Sequence, residues 1–291
     1  MQRDLQRGGT RFGWENRRVS KRHFALCFFP AATFSLISVL RSSFVTEQPP
    51  SFVKEWALPQ DENTPDFCTT RDDWIDQLYA LPQKNIPAQC DHIVRIGGEG
   101  DGGKLFCSDG FPEANCIVYS LGSRLDFTFE IDVIKRLKCD VYTFDCTVGT
   151  PEAEKVPAGI HFFPWCIGGK DEVKPFTSDL LEQGQPHNGQ YFTLDTIRKK
   201  LGHDRIDLLK MDIERHELDV IASLPRKKAP TQLLFETHLH NAYGAWGRPM
   251  SALEWQTLWD RLRRMHYGIF SYEPNPICKC CSEWSLRQVP N

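Results

Sequence analysis

From Cys90 onward, apolar and polar residues follow two rhythms, and the chain switches repeatedly between them. Short apolar runs of the kind that form buried strands occupy Cys116–Ser120, Cys139–Asp145, Ile160–Ile167, Ile206–Met211 and Gln232–His238. Between them apolar residues recur at helical spacing. Asp126–Leu137 puts Phe129, Val133 and Leu137 on one face, and Glu214–Leu224 repeats the pattern. Thr193 caps a helix through Leu201 that Gly202 stops, and Ser251–Tyr267 is a longer amphipathic helix ended by Gly268. Asp91–Ile96 with Lys104–Cys107 reads as a leading hairpin, and Gly268–Tyr272 with Trp284–Val289 as a closing antiparallel pair. This alternation predicts a doubly wound α/β domain with a mainly parallel sheet over residues 90–291.

Upstream the pattern changes. Thr70–Leu81 reads as a short helix burying Trp74, Ile75, Leu78 and Leu81, broken by Pro82 and Pro87. Residues 41–66 are rich in Pro, Ser and acids, so residues 41–89 form a stem with one short helix. Phe24–Leu40 contains no charged residue, whereas residues 1–22 carry Arg3, Arg7, Arg11, Arg17, Arg18, Lys21 and Arg22 against Asp4 and Glu15. Basic flanks resist translocation, so residues 24–40 read as a signal anchor and transmembrane helix behind a basic cytosolic tail at 1–23. That makes the chain a single-pass type II membrane protein of the ER or Golgi with the remainder lumenal. Cleavage of the segment, giving a secreted protein, is the alternative.

Composition changes this picture in two ways. A formal net charge of −3 provides no basic field for nucleic acid. Eleven cysteines, with Cys27 inside the anchor, leave an even number for disulfides in an oxidising compartment. Cys278, Cys280 and Cys281 read as disulfide cysteines, because no spaced C-x-x-C partner or nearby His completes a zinc site.

Candidate chemistry gathers at strand ends. The Ile206–Met211 run ends on Asp212 and Glu214, and the Cys139–Asp145 run ends on Asp145. Open α/β sheets place ligands at the carboxyl ends of their strands, and an acid at Asp145's distance from a glycine turn accepts hydrogen bonds from ribose hydroxyls. The matching turn is Ser120-Leu121-Gly122-Ser123, with a strand before it and a helix after it. Gly98-Glu99-Gly100-Asp101-Gly102-Gly103-Lys104 fits both G-x-G-x-x-G and G-x-x-x-x-G-K, but strand-like residues follow where a phosphate loop must open a helix. It reads as a glycine-rich hairpin instead.

The segment Leu209-Lys210-Met211-Asp212-Ile213-Glu214, followed by a helix, resembles the K-x-D-x-E signature of FkbM-type O-methyltransferases, with Arg215 where that pattern has Gly. Val118-Tyr119-Ser120-Leu121-Gly122, Phe144-Asp145, Asp101-Gly102-Gly103-Lys104 and Glu273-Pro274-Asn275-Pro276 resemble the methyltransferase-like protein 24 relatives. The resemblance implies a class I, Rossmann-like seven-stranded fold and S-adenosyl-L-methionine as cofactor. It implies that Ser120, Gly122, Asp145, Trp165, Cys166, Asp212 and Glu214 bind that cofactor. Trp165 and Cys166 would border adenine, and Asp212 would hold the cofactor's amino group or face the acceptor. Methyl transfer to a hydroxyl, whether a small molecule or a glycan, needs a base. His238, Glu236 and Asp212 are the catalytic candidates, with His240 behind them. No metal is assigned, although Asp212, Glu236 and His238 leave a divalent cation open as an alternative. A degenerate methyltransferase fold that only binds, or an NAD-type oxidoreductase, are the competing functions.

Overall fold

The computed structural model describes residues 79–290 apart from 81, 85, 101, 177–186, 215, 240–249, 277 and 279. The basic tail, the anchor at 24–40, the stem up to residue 78 and His240 lie outside the described residues. No helix among the described residues is long and apolar enough to cross a membrane.

A hairpin leads, formed by β1 (Ile93–Ile96) and β2 (Lys104–Cys107). The main sheet uses β3 (Ile117–Leu121), β4 (Asp140–Phe144), β5 (Ile160–Phe163), β9 (Leu208–Met211), β10 (Gln232–His238), β11 (Tyr267–Pro274) and β12 (Cys281–Gln288). Its order is β11-β12-β10-β9-β3-β4-β5. The five strands from β10 to β5 run parallel, and β12 lies antiparallel to both β10 and β11. Helices α1 (Thr128–Leu137), α2 (Leu194–Leu201), α3 (Glu217–Ser223) and α4 (Ala252–Arg264) cover the sheet. The caps follow the sequence. Thr193 accepts from Thr196 N at the start of α2, Gly202 ends it in the left-handed region, and Ser251 with Glu254 forms a capping box on α4.

Strand alternation divides the core by face. Val118, Val141, Leu208 and Leu234 pack with Phe129 and Val133 of α1 and with Ile96 and Phe106 of the hairpin. Tyr119, Leu121, Leu209, Met211, Leu233 and Phe235 pack with residues of α2, α3 and α4. The Gln232 amide docks the hairpin at both atoms, with Nε2 donating to Cys107 O at 2.6 Å and Cys107 N donating to Oε1 at 3.2 Å, and Ser285 Oγ donates to Leu105 O at 2.8 Å. Tyr79 is fully buried against Trp255, Tyr272 and Trp284, and its hydroxyl donates to Cys280 O at 2.8 Å.

Several boundaries differ from the sequence reading, each for a local reason. Ile160–Ile167 is two strands, because Pro164 has no N–H for a ladder; β6 (Cys166–Ile167) leaves the main sheet. It pairs with β8 (His187–Phe192), which pairs with β7 (Glu172–Phe176), in a three-stranded sheet that the pattern did not reveal. β7 is an edge strand that carries Pro175 and exposes Val173, so it lacks the apolar alternation of a core strand. The helix expected from Glu214 begins at Glu217, since Glu214 adopts φ 51°. Helical backbone at 79–80 and 82–84 continues past Pro82, where Ile86 N donates to Pro82 O at 3.0 Å. α4 stops at Arg264, and both closing strands begin earlier than their sequence spans.

Candidate active site

β3 ends at Leu121, and at the following Gly122 φ is +78° and an added Cβ would stand 1.9 Å from the Asp212 carbonyl oxygen. The glycine is therefore required by the neighbouring strand end itself. Lys210, buried in β9, donates to the Gly122 carbonyl and fixes the turn from below. Asp145 fixes it from the side. Its Oδ2 accepts from Ser123 N (3.0 Å), Arg124 N (2.8 Å) and Ser123 Oγ (3.4 Å), and its Oδ1 from Thr147 N (2.9 Å) and Oγ1 (2.7 Å). Ser120 is completely buried and donates to Glu130 Oε1 at 2.5 Å.

The cofactor candidates beyond the turn separate. Trp165 is half-buried among Phe163, Phe192 and Phe144, at ring distances of 4.7, 5.2 and 6.2 Å. Cys166 is buried in a disulfide with Cys146, so it has no thiol and closes the loop after Asp145. The pairs Cys90–Cys107, Cys116–Cys139 and Cys278–Cys281 are also bonded, which bears out the disulfide reading of Cys278 and Cys281.

The structure brings Asp212, Glu214, Glu236 and His238 together at the ends of β9 and β10. His238 Nε2 lies 3.4 Å from Glu236 Oε2 and 3.5 Å from Glu214 Oε2, and its Nδ1 lies 3.9 Å from Glu217 Oε1. Burial works against an imidazolium here. The Glu236 contact and the charges of Glu217, Glu236 and Glu214 outweigh it and lift His238 to about 10. His238 is thus a cation at neutral pH. Burial pushes Glu214 and Glu217 above the usual carboxylate range, with His238 opposing in both cases. Glu214 is the open member, its side chain 44% exposed against 4% for Glu236.

Four partners here had escaped the sequence reading. Lys104, the last residue of the discounted glycine motif, is buried with its ammonium bonded to Glu283 of β12 and 3.6 Å from Asp212 Oδ2. Burial opposes its charge, but Asp212, Glu283 and Glu236 together hold it protonated above its ordinary range. Burial would likewise raise Asp212, yet Lys104, Lys210 and His238 draw it down to about 2. Glu283 is pushed up to about 8, by burial first and by Glu236 and Asp212 beside it. Asn275 Nδ2 donates to Glu236 Oε1 at 2.7 Å, and Glu217 Oε1 accepts from Ile213 N at 2.8 Å. Lys104 and Asn275 stood in quoted motifs, Asp101-Gly102-Gly103-Lys104 and Glu273-Pro274-Asn275-Pro276, whereas Glu217 and Glu283 gave no signal along the chain. Carboxylate oxygens of Asp212, Glu236 and Glu283 gather within 4.8 Å of one another, and the Lys104 ammonium is the cation that faces them.

A stability test follows from the His238 cluster. The folded value of about 10 exceeds the ordinary 6.5, so these ion pairs stabilise fully below pH 6.5 and lose their effect as pH climbs through 10. Urea unfolding at about pH 6 and about pH 10 should show a wild-type advantage over His238→Gln of a few kcal/mol that shrinks at the higher pH. A difference independent of pH would mean that the imidazole is not charged in the fold.

A seven-stranded sheet of this order, parallel except for a final antiparallel hairpin, with a glycine turn after its first strand, defines a Rossmann-like class I methyltransferase fold. The family described as "Methyltransferase domain" matches residues 55–287, and the chain belongs to it. It therefore carries an S-adenosylmethionine-dependent methyltransferase domain. No curated protein matches the sequence significantly. Among solved structures, the chain is similar to the Methanococcus jannaschii fibrillarin pre-rRNA processing protein at 8% identity and TM-score 0.37, covering 70% of this chain and 86% of that one. It is similar to the Burkholderia thailandensis 1,6-didemethyltoxoflavin-N1-methyltransferase at 12% identity and TM-score 0.34, covering 61% and 72%. A third is an MtNAS variant in complex with S-adenosylmethionine, at 11% identity and TM-score 0.31, covering 62% of this chain and only 57% of that one.

Proposed function

We propose that this chain is an S-adenosylmethionine-dependent O-methyltransferase acting on a hydroxyl acceptor, a glycan or other secretory-pathway compound, in the lumen of the ER or Golgi. Residues 24–40 would hold it in the membrane. The carrying observation is the imidazolium–carboxylate cluster at the ends of β9 and β10, beside the Gly122 turn. The disulfides among the described residues support an oxidising compartment.

The residues fit the cofactor at two places. Asp212 and Glu214 keep partly exposed carboxylates that complement a positively charged donor, and Trp165 with Phe163 and Phe192 offers an aromatic shelf for adenine. Asp145 fits less freely, since the protein already occupies both oxygens; the long 3.4 Å contact from Ser123 Oγ is the one a ribose hydroxyl can replace. When bound, S-adenosylmethionine supplies an electrophilic methyl group.

The chain's own part is to hold the acceptor in line and take its proton. An imidazolium held at about 10 has no lone pair for that proton at neutral pH, so His238 acts there as the fixed cation between the carboxylates. Glu214, whose side chain is 44% exposed beside His238, takes the proton. Glu236, held by Asn275, positions His238.

Tritiated methyl transfer screened against glycans, lipids, small alcohols and amines tests the reading. Label on hydroxyl compounds is expected. Label found only on nitrogen would overturn O-methylation. The filled shells of Asp145 and Ser120 favour a second reading, a methyltransferase fold that binds without turnover. Calorimetry showing cofactor binding, with no labelled product in the whole screen, would select it.

A further inference from the structure

The Cys278–Cys281 disulfide differs from the other three among the described residues in size and in position. It spans a sequence separation of 3, against 17, 20 and 23 for the others. So short a loop removes the least chain entropy from the unfolded state, so global stabilisation explains it least. Its surroundings are those of the site. Cys281 opens β12 as the register partner of His238. The Cys281 sulfur, a His238 ring nitrogen and a Glu236 oxygen lie within 4.8 Å of one another. Asn275, which holds Glu236, is hydrogen-bonded to both cysteines of the pair. Cys278 N donates to Asn275 Oδ1 at 3.0 Å, Asn275 N donates to Cys281 O at 3.2 Å, and Asn275 Nδ2 donates to Glu236 Oε1 at 2.7 Å.

We propose that Cys278–Cys281 is a thiol–disulfide exchange site, opened by small thiols of the glutathione class, whose oxidation state sets how Glu236 and His238 are held. Burial fixes the direction of attack. Cys281 is 1% exposed, whereas Cys278 is only partly buried. An external thiolate attacks Cys278 Sγ, the S–S bond breaks, and its electron pair leaves on Cys281 Sγ. A second thiolate then attacks the mixed disulfide and releases Cys278, which takes a proton. Two small thiols are oxidised to one disulfide, the protein disulfide gains two electrons, and one proton goes to solvent while Cys281 remains a thiolate.

The imidazolium beside Cys281 makes it a good leaving group, because a neighbouring cation stabilises the thiolate. Once formed, that thiolate competes with Glu236 for His238. Asn275 at the same time loses the closed loop that sets its two contacts. The reduced protein should therefore transfer methyl groups more slowly, and reoxidation should restore it. This consequence rests on the methyl-transfer reading; the exchange chemistry does not.

The test is differential alkylation with mass spectrometry on the full chain, equilibrated in graded glutathione buffers. Cys278 and Cys281 should be alkylated at a more oxidising poise than Cys90–Cys107, Cys116–Cys139 and Cys146–Cys166. His238→Gln should slow opening of this bond by about tenfold or more, since the leaving thiolate loses its counter-charge. A purely structural disulfide would not respond to that substitution. Should His238→Gln fail to fold, Cys278→Ser leaves Cys281 as a lone thiol, whose thiolate absorbance near 240 nm is expected at neutral pH. Opening no earlier than the other pairs, no response to His238→Gln, or a protonated Cys281 in Cys278→Ser would each overturn the proposal. None of these readouts requires methyl transfer, so a failed acceptor screen leaves them standing.

Discussion

Glu214→Gln is expected to slow methyl transfer by about 10²–10⁴-fold, the usual contribution of a positioned base. Cofactor affinity should weaken modestly, because the same carboxylate complements the positively charged donor, while the melting temperature should stay close to wild type. The side chain is 44% exposed and touches the protein through His238, so its loss removes little packing. Its backbone sits at φ 51°, a conformation that costs a non-glycine residue energy and is retained where the surroundings impose it. Single-turnover rates together with calorimetric affinity separate the two effects. Unchanged turnover in the folded variant would remove Glu214 from the proton-accepting role. The wild-type pH–rate profile identifies the replacement. A rate climbing through neutral pH toward about 10 would mark neutral His238 as the base, whereas a plateau from weakly acidic pH would mark a carboxylate.

Gly122→Ala is expected to abolish cofactor binding and to destabilise the fold by about 4 kcal/mol or more, at the upper end for single substitutions. Two costs combine. The left-handed backbone at φ +78° penalises any side chain by about 1–2 kcal/mol. The added methyl would also overlap the Asp212 carbonyl, 1.9 Å away, which must move together with the end of β9. Asp212, Lys210 and the Gly122 carbonyl are tied to one another, so that movement reaches the cluster around His238. Denaturant unfolding and calorimetry with S-adenosylmethionine provide the check. Wild-type stability would show that the strand ends separate without cost.

Much of the architecture was legible because it depends on local pattern. Apolar runs marked β3, β4, β9 and β10, and cap residues Thr193 and Gly202 marked the ends of α2. The second sheet was not legible, since β7 and β8 are polar, interrupted by Pro175, and paired only with one another and with a two-residue strand. Half of the site was legible for the same reason as the fold: Asp212, Glu214, Glu236 and His238 lie at the ends of readable strands. Lys104, Asn275 and Glu283 reach it from the hairpin and from the antiparallel edge, far away in sequence.

The sequence by itself determined the order of the main-sheet strands and the helices between them, the glycine turn, and the presence of acids at the carboxyl edge. These follow from side-chain periodicity and backbone preference, which act over a few neighbouring residues. Only the tertiary structure decided what those acids do. A carboxylate's proton affinity depends on burial and on charges a few ångströms away. Lys104 came beside Asp212 only through the docking of the β1–β2 hairpin, and Glu214 and Glu217 joined Glu236 around His238 only through the pairing of β9 with β10. That assembly draws Asp212 down to about 2 and lifts His238 to about 10, and no spacing along the chain encodes either value.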